Sequence, residues 1–223
     1  MDMNQSIIKR AGVPTHATPQ LRGLQQHPLD IRRPHRLPVL DHVIEIADAA
    51  MAAQRPARIV PQLVETLQAL FAAEPRLAGD IPASLQGTSP DGYLRRELYR
   101  SPQFGYHVFL MTWAPGQHSP IHDHADVWGI EAVLQGELEV VDYRMAGRRD
   151  ALVELHPVAH HQMTPGSVIG LLPPHDLHAC GNAVPDGVTV SLHIYGHHME
   201  EVQRYAHVEN LLYRPQSVFL ESI

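Results

Sequence analysis

Residues 116–136 read GQHSPIHDHADVWGIEAVLQG, and the fold follows from how His122-Asp123-His124 sits among them. On an extended strand, side chains at i and i+2 leave from the same face. His122 and His124 then offer two imidazoles to one ion, while Asp123 points away. Trp113-Ala114-Pro115-Gly116, just before them, punctuate as a turn, and an apolar strand through Ile130, Ala132, Val133 and Leu134 follows. Two strand histidines need a third ligand from elsewhere. The best candidate is His178 in PPHDLHACGN, on a later turn-to-strand entry.

Working outward, a period of two governs the chain beyond Tyr93. Tyr93 to Tyr99, Gly105 to Trp113, Gly129 to Tyr143, Ala151 to His156, Ser167 to Leu172 and Val188 to Tyr195 read as strands, separated by Pro, Gly, Asp and Asn turns. Several short strands at such spacing favour a sandwich or small barrel over a parallel sheet. In the last of them Ser191, His193 and Tyr195 form a polar face, and Val190, Leu192 and Ile194 an apolar one. That alternation suits a barrel with a site in its lumen and helices covering the outside.

The helices are expected upstream. Val43, Ile44, Ile46, Ala47 and Ala50 recur at helical spacing behind Asp41, a candidate N-cap. A second helix near Ile59 to Ala73 carries Leu63, Leu67, Leu70 and Phe71 on one face, and Pro75, Pro82, Pro90 and Gly92 then break the chain up. Residues 1–40 are rich in Pro, Gln and basic residues and read as a poorly ordered or draped arm. The expected organisation is that arm, then one domain over 41–223, with a helical cap at 41–90 and a β-barrel with a C-terminal tail at 91–223.

Composition narrows the classes. A chain of 223 residues, 44% hydrophobic with net charge -7, suits a soluble globular protein, and its acidity argues against nucleic-acid binding. No stretch reads as a membrane span or signal peptide. The single cysteine, Cys180, excludes an internal disulfide and agrees with a reducing cytoplasm. Cys180 itself reads as a buried small hydrophobe.

Neutral imidazoles suit iron, zinc, copper or nickel, whereas magnesium and calcium want oxygen. Glu131 is the nearest carboxylate for a two-histidine, one-carboxylate set, and a three-histidine face is equally consistent with the strand geometry. Three neutral ligands leave the full dipositive charge on the metal, which draws anionic donors such as a thiolate.

Gly116-x5-His122-x-His124 ending in Gly136, with Pro173-x4-His178-x3-Asn182 downstream, resembles the two cupin motifs. More narrowly, IHDH at 121–124, HDLHACGN at 175–182, SLHIY at 191–195 and YLRRELYR from Tyr93 resemble the thiol dioxygenases, that is, cysteine dioxygenase and its bacterial relatives acting on 3-mercaptopropionate. The likeness covers about half the chain, Tyr93 to Arg204. It implies a mainly β, jelly-roll type cupin barrel with Fe(II) held by His122, His124 and His178. It also implies an outer relay of Ser191, His193 and Tyr195, and a small thiol carboxylate and dioxygen as substrates. Arg95 falls where cysteine dioxygenases bind the substrate carboxylate, and Arg204, nine residues after Tyr195, falls where the 3-mercaptopropionate enzymes have a carboxylate-associated arginine.

Departures from the family pattern sharpen the expectations. Gly129 occupies the position whose cysteine cross-links to the relay tyrosine in animal enzymes, so no such bond forms here. His175 replaces the glycine of the second motif and would crowd or supplement the metal, and Gly196-His197-His198 changes the pocket wall. A register slip of one would put Arg96 inward instead of Arg95. Arg204, in MEEVQRY, alternatively belongs to a helical turn paired with Glu200 or Glu201, and His160-His161 and His197-His198 are expected to be exposed. The expected function is an iron-dependent thiol dioxygenase giving a sulfinic acid. The alternatives are another metal cupin enzyme (an isomerase or ring-cleaving dioxygenase) and a non-catalytic ligand-binding cupin.

Overall fold

The computed structural model describes residues 37–53 and 56–220, and among these helix α1 (Leu40–Ala53) and helix α2 (Pro56–Ala73) precede eleven strands. Residues 1–36 of the expected arm, with its basic residues, therefore lie outside the described residues. Leu37 and Val39 are already buried against the core, so packing begins ahead of Asp41. Asp41 lies in the first turn of α1 and not at its cap, still near the positive end of the helix dipole. In α2, Ile59, Val60, Leu63, Leu67 and Phe71 make one buried stripe. Each fully buried leucine there contributes about 1.5–3 kcal/mol.

The strands are β1 (Leu94–Arg100), β2 (His107–Trp113), β3 (Ile121–His122), β4 (Gly129–Gln135), β5 (Leu138–Arg149) and β6 (Leu152–Met163). They continue with β7 (Val168–Leu171), β8 (His178–Asn182), β9 (Thr189–Tyr195), β10 (Glu201–Glu209) and β11 (Leu212–Phe219). One antiparallel sheet has the order β1-β2-β9-β4-β7. The other runs β10-β11-β6-β5-β8-β3 and closes, because β3 pairs with β8 on one side and β10 on the other. The architecture is mainly β with two N-terminal helices, of the jelly-roll type.

Helices cover one face of the five-stranded sheet: Val108, Leu110, Ile130, Leu134, Val190, Leu192 and Ile194 share a core with α1 and α2. The opposite face carries Phe109, Met111, Val133 and Tyr195, which pack toward the closed sheet. Register brings Ser191, His193 and Tyr195 of β9 opposite Val133, Glu131 and Gly129 of β4.

Several elements differ from expectation. The stretch 129–143 is not one strand but two, β4 in the five-stranded sheet and β5 in the closed one, with the break at Gly136, φ +74. A Cβ there would lie 2.5 Å from Thr189 Oγ1, so glycine is required on both counts. The sixth strand runs on to Met163, β8 is the strand entered at His178, and β10 and β11 were not foreseen. Arg204 lies on a strand, not a helical turn. Val202 and Tyr205, three apart, mimic a helical repeat because they face opposite ways and both are buried, in different clusters.

Candidate metal centre

Strand β3 ends at His122, and its partner across the ladder is His178 on β8, with Arg204 of β10 on the other side. Asp123 does point away. Its Oδ1 accepts the Gln203 N–H (3.0 Å), which fixes β10 beside the histidines. His124 follows in a tight loop, since Ala125 and Asp126 both adopt positive φ. Two histidines thus share a face only partly because of strand geometry; the loop completes it.

The ligand atoms of His122, His124 and His178 all lie within 4.8 Å of one another. Each ring is held through Nδ1: His122 by Pro120 O (3.0 Å), His124 by Asp176 Oδ2 (3.1 Å) and His178 by Asp176 O (3.0 Å). For His122 and His124, acceptors at Nδ1 fix the tautomer that leaves Nε2 with a lone pair, whereas His178 Nε2 faces Glu131 Oε1 at 3.1 Å. His124 Nε2 is buried and has no hydrogen-bond partner among the described residues. A buried polar atom left so is costly unless something else satisfies it, and a divalent ion bound by nitrogen fits these residues. Burial, then His178 and its sister imidazole, hold His122 well below the ordinary histidine pKa, and burial likewise lowers His124. Both rings are therefore neutral donors.

Asp176 was missed by the sequence reading. Its carboxylate also accepts the His124 backbone N–H (3.0 Å), so it grips that histidine twice while its own carbonyl aligns His178. Position two before a ligand histidine is the only signal, and many aspartates stand so by chance. His175, beside it, is exposed and supplements nothing in the site.

Glu131 does not join the three-histidine cluster. It groups instead with His178 and Cys180, with Oε1 3.1 Å from His178 Nε2 and 3.2 Å from His193 Nδ1. Burial opposes its ionised form, but the two imidazoles hold its carboxyl well below the usual range. Burial also opposes protonation of His178, yet Glu131 and Cys180 together leave that group well above its ordinary pKa. Cys180 is buried, its Sγ 3.7 Å from Ser119 Oγ, and burial and Glu131 push its thiol up.

The row on β9 forms a chain of contacts: Ser191 Oγ lies 2.8 Å from His193 Nε2, and Tyr195 OH 3.2 Å from His193 Nδ1. Trp113, unforeseen in this role, donates its Nε1–H to Ser191 Oγ (3.0 Å). Gly129 faces Tyr195, and a Cβ there would come within 3.2 Å of the ring carbons. Burial, then Glu131, pushes Tyr195 well above the ordinary phenol pKa, so it stays a hydrogen donor.

A cavity of about 30 Å³, enough for about two water-sized groups, is lined by His122, His124, Tyr195, Arg95 and Arg204. A wider vestibule of about 360 Å³ opens beyond it and shares Tyr93, Arg95 and Arg204. Arg95 faces inward with its guanidinium 3.6 Å above the Phe109 ring, whereas Arg96 binds Thr112 Oγ1 and Gly87 O on the other face. Burial lowers the Arg95 pKa. Tyr93 stacks on Trp113 at 4.2 Å between centroids and interacts with both cavity arginines. Elsewhere His197 and His198 are exposed, and His160 and His161 pair with Glu139 and Asp142. Among the described residues no helix is long and apolar enough to cross a membrane.

Solved structures similar to the chain include a cupin 2 domain-containing protein from Halorhodospira halophila, at 18% identity, covering 53% of this chain and 73% of that one with a TM-score of 0.39. A cupin superfamily protein from Desulfitobacterium hafniense is 19% identical over 50% of this chain and 84% of its own, with a TM-score of 0.36. A protein with a double-stranded beta-helix domain from Klebsiella pneumoniae is 16% identical over 50% and 83%, with a TM-score of 0.37. Residues 88–208 match the family described as cysteine dioxygenase type I. That match spans more than half of the 223 residues, and the chain belongs to the cysteine dioxygenase type I family.

Proposed function

We propose that the protein is an Fe(II)-dependent dioxygenase that converts a small thiol carboxylate, RSH, with O2 into the sulfinic acid RSO2H. The observation that carries this reading is the convergence of three imidazoles, each ring hydrogen-bonded at Nδ1, beside a cavity with cationic walls. An iron ion held by His122, His124 and His178 would supply adjacent coordination places for sulfur and oxygen and the electron transfer between them.

The chain's own residues do the rest. Arg95, flat against Phe109, and Arg204 face the cavity from β1 and β10 and take the substrate carboxylates through paired N–H donors. Fixing the carboxylate fixes where the thiol sits, the usual gain from orientation. Tyr195 donates its hydroxyl proton to oxygen as negative charge develops there. Phe109, Met111, Met199 and Val202 exclude water from the inner space. Two arginines suit a thiol with two carboxylates, such as mercaptosuccinate, over cysteine or 3-mercaptopropionate.

The test is oxygen uptake by Fe(II)-loaded protein with these three thiols, alongside metal analysis. About one iron per chain and the highest kcat/KM for the dicarboxylate are expected. Absence of thiol-driven uptake by iron-replete protein overturns the function; indifference of the dicarboxylate reaction to Arg204→Ala overturns the substrate.

A further inference from the structure

The buried contacts along β9 have a donor-only group at one end and an acceptor-only group at the other. Trp113 Nε1–H can only donate, and it meets Ser191 Oγ at 3.0 Å. At the far end His193 Nδ1 lies 3.2 Å from Glu131 Oε1, a carboxylate oxygen that only accepts. The nitrogen facing it therefore carries the hydrogen. With the tautomer's hydrogen on Nδ1, Nε2 is left to accept the hydrogen bond of the Ser191 hydroxyl at 2.8 Å. Every donor then points one way, from Trp113 through Ser191 to His193, whose Nδ1–H faces the Glu131 carboxylate in a charge-pair contact.

That direction decides what Tyr195 does. Its hydroxyl lies 3.2 Å from the same Nδ1. A nitrogen that already bears hydrogen cannot accept the phenol proton, so the Tyr195 oxygen shares the Nδ1–H as an acceptor and its own proton goes elsewhere. The cavity beside His122, His124 and Arg95 is where the ring looks. Without an acceptor at 131 the opposite tautomer is open: Nε2–H toward Ser191 Oγ, and the Tyr195 proton spent on Nδ1, away from the cavity.

The geometry points to Glu131 as the positioning residue that sets the tautomer of His193 and so leaves the Tyr195 hydroxyl proton for the metal cavity. Use of that proton rests on the thiol-oxygenation reading; the tautomer does not. Glu131 is fully enclosed, 1% exposed, and Oε2 has no partner among the described residues. Such a carboxylate is held at a desolvation cost that an aliphatic residue would avoid. Its other neighbour, His178 Nε2, is a nitrogen that gives its lone pair to an ion when one binds. His193 is then the imidazole left to donate to Oε1.

Histidine tautomers in Zn(II)-loaded, diamagnetic protein are read by nitrogen-15 NMR, with the His193 signal identified by its loss in His193→Gln. The expected result is Nδ1–H in the wild type and in E131Q, whose amide oxygen still accepts, and Nε2–H in E131L. With Fe(II) and the best thiol, E131L lowers kcat about tenfold to a hundredfold while KM stays within about twofold, and E131Q lies nearer the wild type. Nε2–H in the wild type, or Nδ1–H persisting in E131L, overturns the assignment. If E131L does not fold, the wild-type and E131Q spectra decide alone. If no thiol is oxidised, the dioxygenase reading falls while the tautomer still tests Glu131.

Discussion

On β2, β4 and β9, successive residues face opposite ways. Val108, Leu110, Ile130, Val190, Leu192 and Ile194 pack under the helices, while Phe109, Met111, Glu131, Ser191, His193 and Tyr195 face the three histidines. Both sets are buried, yet the first is apolar and the second holds a carboxylate, an imidazole and two hydroxyls. Polar groups on the helix side are few, and each is met locally: Thr112 donates to Gly87 O (2.7 Å) and Tyr106 to Asp48 Oδ1 (2.8 Å). The inner face keeps its polar groups because they satisfy one another along the strand and across the ladder. The apolar face thus anchors the frame on which the polar face is positioned.

Substitutions on either face break or sharpen this contrast. The largest effect is expected from His178→Ala, which removes the imidazole supplied by β8 and leaves buried Glu131 without its partner at 3.1 Å: metal affinity should fall about 10³-fold, measured by competition with a chelator. Tyr195→Phe should cost about 10²- to 10³-fold in kcat while iron content stays at the wild-type level by metal analysis. Leu192→Ala, one residue from His193 but on the helix side, should cost about 2–5 kcal/mol in denaturant unfolding and leave the identity of the preferred thiol intact. Asp176→Asn keeps an acceptor oxygen but loses the charge behind His124, so metal affinity should drop about 10- to 100-fold. Smallest is Arg204→Ala, expected to raise KM for a dicarboxylate thiol about tenfold and that for a monocarboxylate much less. Equal losses of activity from the Leu192 and Tyr195 variants at matched folded fraction would erase the distinction between the faces.

Alternation was legible because it is local. Ser191, His193 and Tyr195 share a parity, and the pleat alone puts them on one side. The convergence of His122, His124 and His178 was legible through residue type, since so few side chains bind transition metals. Asp176 and Trp113 were not, because their contacts depend on loop and ladder geometry that residue type does not announce. Glu131 was noticed as a carboxylate near the site, but its place opposite His193 follows from a pairing between β4 and β9, far apart in sequence. Arg204 was ambiguous for a different reason: a strand buried on both faces loses the period-two signature, and Val202 and Tyr205 then imitate a helix.

The most direct measurement is the position of a bound ion, taken from anomalous scattering of crystals of iron-loaded protein. The expected result is one peak about 2.0–2.2 Å from Nε2 of His122, His124 and His178, on the cavity side. A peak held instead by Glu131, His178 and Cys180, or one that leaves His122 or His124 uncoordinated, would contradict it.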